Sequence, residues 1–242
     1  MDTQDDFPSY HDAQSATMKS SSTIPIAILI GGIILAGAVY LSVSKKESPL
    51  NSPSKASLVT PVGTNDHILG NPAAKVMIVE YSDFECSYCK TFDGTLRQIV
   101  ANEGTGGSVA LVYREFPLTE IHPNAMDDAR AAECVAQTAG NDAFWKFANS
   151  LFMNQPVDPA QYSTLAEDVG LSGDAFANCY SNAQTTVDPT ITADRQNAIT
   201  IGAQGTPYSL ILVQNMTPVV IDGAYPYDAV KQLVDQALAQ AQ

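Results

Sequence analysis

From Ile24 to Val43 the chain runs for 20 residues without a charge and with no polar face at 3.6-residue spacing. That length crosses the hydrocarbon core of a bilayer as a helix, and Pro25 falls in its first turn, where a missing N–H costs little. Before it, residues 1–23 are polar and acidic and read as a disordered tail. After it, residues 44–63 are rich in Ser, Pro and Lys, show no helical period and read as a flexible linker. A cleaved signal peptide is the rival for the apolar segment, because "AGA" at 36–38 has the small-x-small form. Apolar residues continue past it through Val39, Tyr40, Leu41 and Val43, which favours a retained transmembrane helix.

A different rhythm begins near Thr64. "KVMIVEYS" (75–82) is a near-continuous apolar run, the pattern of a strand buried on both faces. From Cys86, apolar positions at Cys89, Phe92, Leu96, Ile99 and Val100 follow helical spacing, and "SVALVYREF" (108–116) reads as a second strand. This β–α–β order implies a parallel pair joined by a crossover helix. Four Ala-rich segments with helical periodicity follow, separated by Gly or Pro, and form a helical insertion over about residues 122–188. A further helix over 189–202, strands in "GTPYSLILV" and "TPVVIDG", and an amphipathic helix over 227–241 complete the domain.

Charge narrows the function. The chain carries −14 overall, and residues 64–242 hold 21 acidic against 8 basic residues, a net of −13. That balance argues against nucleic acid as a partner. It is also the charge of an ordinary soluble surface.

The chemistry lies in the four cysteines. Cys86 and Cys89 are one helical turn apart, in "FECSYCK", where the apolar strand gives way to a helix. A structural zinc site needs two close ligand pairs; Cys134 and Cys179 are 45 apart, and His11, His67 and His122 are scattered. No metal site is expected. At a helix N-terminus, unpaired N–H groups and the helix dipole stabilise a thiolate, which suits a redox pair. Glu80 lies in the buried strand, either as a proton relay for Cys89 or as a strand-end carboxylate reaching water.

These motifs carry a resemblance. "ILGNPAAKVMIVEYSDFECSYC", "REFPLTEIHPNA", "AAECV", "FW" and "GTP" occur in the order found in DsbA-like proteins, the extracytoplasmic thiol:disulfide oxidoreductases of the thioredoxin superfamily. The resemblance spans about residues 64–242 and implies an α/β thioredoxin fold with an inserted helical subdomain, here preceded by one transmembrane helix. It implies that Cys86 is the exposed nucleophile, Cys89 the buried resolving thiol and Glu80 the buried acid. Pro207 would be a cis-proline facing the disulfide, and Thr206 would offer backbone hydrogen bonds to a bound substrate chain. No cofactor is implied. The partners implied are protein thiols and a membrane redox partner of the DsbB or vitamin K epoxide reductase type. Ser87 departs from the proline that many close relatives carry between the cysteines, which leaves the redox strength open.

Cys134 and Cys179 each fall on a helix of the insertion. They read either as two small buried residues or as a structural disulfide, since closing Cys86–Cys89 locally leaves only that pairing. Such a bond implies an oxidising compartment. One lysine before the apolar span against two after it would place the domain inside the cell. The cysteines outweigh that difference and place it outside the membrane. Trp145, Phe144 and Phe147 read as core of the insertion, and His122 as a loop or helix-cap residue. A reductase or isomerase fed by a membrane donor is the alternative to an oxidase, and a non-enzymatic peptide-binding module is a more distant one.

Overall fold

The computed structural model describes residues 54–241. The proposed tail, the apolar span 24–43 and most of the linker lie outside the described residues. Among the described residues, no helix is long and apolar enough to cross a membrane.

Five strands form one mixed sheet in the order β1-β3-β2-β4-β5: β1 His67–Gly70, β2 Val76–Ser82, β3 Val109–Glu115, β4 Tyr208–Val213 and β5 Val219–Asp222. β2 and β3 pair in parallel, with Glu80 opposite Tyr113 and Ser82 opposite Glu115. β4 is antiparallel to β2 and places Ser209 opposite Glu80. The central strands are buried along their lengths because both faces are covered, hence their unbroken apolar runs. β1 was not legible in the sequence. Its four residues are too few to show alternation, and it is held by antiparallel pairing with β3.

α1 (Ser87–Glu103) connects β2 to β3 and buries Cys89, Phe92, Leu96 and Ile99 against one sheet face. The insertion follows β3 as α2 (Ala125–Ala139), α3 (Asn141–Asn154), α4 (Tyr162–Asp168), α5 (Gly173–Ser181) and the short α6 (Ala183–Thr186). Trp145, Phe144 and Phe147 are buried there; Phe144 and Trp145 pack edge-on against Tyr113. Cys134 of α2 and Cys179 of α5 form a disulfide. α7 (Asp188–Ile201) covers the opposite sheet face, where Ala198 and Ile201 meet Val79, Tyr81, Val112 and Leu210. α8 (Tyr227–Gln240) closes the first face through Val230 and Val234.

One boundary differs from the expectation. Lys55–Leu58 forms a 3-10 turn whose Ala56 is buried in the α7 core, with Val59 and Val62 packed beside it. Asn197 accepts from the Thr60 N–H and donates to the Leu58 carbonyl. Residues 55–63 therefore belong to the domain. Ser and Pro hid a docked segment in which only Ala56, Val59 and Val62, three residues apart, reach the core, too few to mark a helix or a strand.

Candidate active site

Strand β2 ends at Ser82, and a tight turn leads to Cys86, the N-cap of α1. The turn is fixed by the Cys86 N–H bond to the Asp83 carbonyl, 3.1 Å, and by the Asp83 carboxylate accepting the Glu85 N–H at 2.8 Å. Cys86 has extended backbone dihedrals and no side-chain cap, so the first-turn N–H groups of α1 are left facing its sulfur. Cys89 follows one turn later on the inward face, fully buried, and both thiols are free.

Cys86 is less open than the expected exposed nucleophile, because its residue is only 6 % exposed. Phe84 and the loop preceding β4 wall it in, while Ser87 and the 70 % exposed Tyr88 carry the open surface beside it. The Cys86 S–H donates to the Thr206 carbonyl at 3.5 Å, and the Thr206–Pro207 peptide is cis. The sequence-predicted Cys86, Thr206 and Pro207 therefore meet at one end of the interior strands β2 and β4. A second cis peptide, Gln155–Pro156, was not anticipated.

The two thiols have opposite environments. The Cys86 thiol is lowered to about 6: the Cys89 S–H bond to it leads, burial opposes, and the Thr206 hydroxyl and the Cys89 and Tyr88 N–H groups add. The Cys89 thiol is raised well above the ordinary range, first by burial and then by the Cys86 and Glu80 charges, with Ser82 opposing.

Glu80 is fully buried, which removes the reading of a carboxylate reaching water. Burial raises it well above the usual carboxylate range; Asp93 and Cys86 push the same way, while Ser82 and Arg97 oppose. Ser82 Oγ donates to Glu80 Oε1 at 3.0 Å, and the second Glu80 oxygen has no partner. Asp93, one turn after Cys89, is itself buried and bonds Arg97 Nε at 2.6 Å.

Sequence reading missed three contributors. Ser82 donates to Glu80, and its hydroxyl works against the raised Cys89 thiol. Gln155 Nε2, at the C-terminal end of α3, donates to the Phe84 carbonyl at 2.6 Å and reaches the Cys86 carbonyl at 3.4 Å. His122 Nδ1 lies 2.9 Å from the buried Asp83 carboxylate. Cys134–Cys179 stands apart from this group as a separate disulfide within the insertion.

The thioredoxin family model matches residues 63–236, most of the chain. The chain belongs to the thioredoxin family. Among solved structures, this thioredoxin domain is similar in fold to oxidised BdbD from Bacillus subtilis, at 23% identity and TM-score 0.63 over 75% of this chain and 97% of that one. It is likewise similar to alpha-DsbA1 from Wolbachia pipientis, at 21% identity and TM-score 0.66 over 77% and 97%. Among curated proteins it resembles Na+/H+ antiporter NhaA 3 of Salinispora tropica, 37% identical over 121 residues, covering 49% of this chain and 18% of that protein. Na+/H+ antiporter NhaA 1 of Salinispora arenicola is 30% identical over 184 residues, 75% of this chain and 26% of that protein. The chain thus spans about a quarter or less of the length of these curated relatives.

Proposed function

We propose that this thioredoxin-family protein is a thiol:disulfide oxidoreductase that works through Cys86 and Cys89 and runs as an oxidase of protein thiols. The observation that carries the reading is the pairing of a thiol lowered to about 6 with a neighbour held well above the ordinary range. One sulfur is a good leaving group and thiolate; the other keeps its proton until it is needed.

In the oxidising direction a substrate thiolate attacks Cys86 of the Cys86–Cys89 disulfide. The new bond joins substrate to Cys86, and Cys89 leaves as a thiolate that takes a proton from Glu80. A second substrate thiolate then attacks the substrate sulfur of the mixed disulfide and releases the Cys86 thiolate. The substrate dithiol loses two electrons and, as its two thiols ionise, two protons to solvent. The enzyme gains both electrons, and Glu80 recovers from solvent the proton it gave Cys89, so one proton is taken up and the other stays in solvent. The Thr206 carbonyl, which the Cys86 thiol occupies in the free protein, and Pro207 line the edge where the substrate chain would lie.

The Cys134–Cys179 disulfide supports an extracytoplasmic setting. With the apolar span 24–43 it supports a single-pass membrane anchor with the catalytic domain outside. Re-oxidation would then fall to a membrane redox partner of the DsbB or vitamin K epoxide reductase type. Ion exchange, the activity in the names of the curated relatives, is not carried over, because the match covers so little of them. The test is stoichiometric: oxidised protein mixed with a reduced dithiol peptide should convert it to the disulfide within minutes and become reduced at Cys86 and Cys89. Failure there, with ready reduction of insulin disulfides, would establish the reductase direction instead.

A further inference from the structure

No cation lies in the Cys-Ser-Tyr-Cys motif, yet the turn before it holds a saturated, buried anion. The Asp83 side chain is fully buried. Its Oδ1 accepts the Glu85 N–H, and its Oδ2 accepts the Leu118 N–H at 2.7 Å and meets His122 Nδ1 at 2.9 Å. Three residues on, Cys86 hangs from the Asp83 carbonyl. The neighbouring Glu85 carboxylate grips Asn124 twice, through its N–H at 2.6 Å and its side-chain amide at 3.2 Å. The His122 N–H bonds the Leu118 carbonyl at 2.9 Å. The loop after β3 is thus tied to the nucleophile turn at Leu118, His122 and Asn124, and it carries one imidazole, which is 22 % exposed.

We propose that His122, fixed by Asp83, is a positioning residue whose imidazolium supplies the positive charge beside the Cys86 thiolate that the Cys-Ser-Tyr-Cys motif lacks. The 2.9 Å contact with the buried Asp83 side chain favours the charged form of the ring. Asp83 holds the ring through its carboxylate and the Cys86 N–H through its carbonyl, so ring and nucleophile share one turn, and the titratable groups acting on the ring are Asp83, Cys86 and Glu85. Asp128 of α2 and Glu115 of β3 couple electrostatically to Asp83, and Asp128 also to Glu85. Cys89 and Glu80 also couple to Cys86, and burial favours the protonated form of both. Lys90 directs its ammonium to the Met153 carbonyl. Burial works against charge on His122, but the Asp83 bond and charge, then Cys86 and Glu85, carry it above its ordinary value. The proposal rests on the thiol–disulfide reading only for what the thiolate goes on to do.

Coupling between two charges is reciprocal. The His122 ring protons, assigned by through-bond NMR in the full chain, should be titrated in protein reduced by a phosphine and in protein oxidised by diamide. Oxidation removes the thiolate, so His122 should titrate roughly half a pH unit or more lower in the oxidised form. In His122→Asn, whose amide can still donate to Asp83, the midpoint of Cys86 alkylation should rise by a similar amount, about a threefold loss of thiolate at pH 5. An unchanged His122 midpoint in the two redox states overturns the proposal even where the variant does not fold. A shifted midpoint with no dithiol oxidation would keep this coupling and reject the oxidase.

Discussion

Ser82 donates its hydroxyl to Glu80 Oε1 at 3.0 Å, the one hydrogen bond that the fully buried acid group receives among the described residues. Glu80 binds its proton more tightly folded than unfolded, because burial raises it. Its effect on stability is therefore least unfavourable below the ordinary carboxyl range and grows worse as pH rises toward the folded value. Glu80→Gln should raise the melting temperature at pH 7, with the gain fading toward pH 4. The same variant should exchange disulfides more slowly, by up to about 10²-fold, since a positioned proton carrier is gone. Thermal melts across pH, paired with stopped-flow exchange rates, check both.

Cys86 titrates in the opposite sense. Its folded value is about 6, below that of an ordinary thiol. The stabilisation of the reduced form is complete above about 8.5 and is lost as pH falls through about 6. The melting temperature of the reduced protein, taken relative to the oxidised one, should therefore rise between pH 5 and pH 8. Calorimetry of the two forms would reject this assignment if the difference were flat with pH.

The Cys134–Cys179 bond closes a separation of 45 residues between α2 and α5. On the chain-entropy account that is worth about 4 kcal/mol. Replacing both residues by Ala should lower the melting temperature by about 10 °C in a domain of this size and leave exchange at Cys86 nearly unchanged. Unchanged melting with lost exchange would move this pair into the mechanism.

Gln155 braces the turn from the other side by donating to the Phe84 carbonyl. Gln155→Ala should cost about 1 kcal/mol of stability and loosen the Cys86 turn. Faster amide hydrogen exchange at Glu85 and Cys86, with α2 unaffected, is the expected readout.

The proposed location is tested by labelling. An impermeant maleimide applied to intact cells should reach a cysteine engineered at exposed Asp174 in α5. Labelling only after permeabilisation would place the domain inside.

What the sequence revealed and what it hid follows from range. β2, α1, β3 and the helices of the insertion were legible because each shows its period within a dozen residues. Cys86, Cys89 and Glu80 stood out through a local motif and an acid in an apolar run. The contribution of His122 was hidden, because its partner Asp83 lies 39 residues away across a parallel strand pair. Gln155 acts over 71 residues on a backbone carbonyl, which leaves no mark on side-chain pattern. The closure around Cys86 also comes from distant segments, so an expected exposed cysteine is mostly covered.

The most direct test is the equilibrium potential of the Cys86–Cys89 pair, read by alkylation and mass spectrometry in glutathione buffers. A single two-electron transition confined to those two residues is expected, with Cys134–Cys179 remaining oxidised. Its midpoint should lie well above the roughly −270 mV of cytosolic thioredoxin, because the lowered Cys86 thiol favours the reduced enzyme. A midpoint at or below that value, or a transition at Cys134–Cys179, would contradict the oxidase.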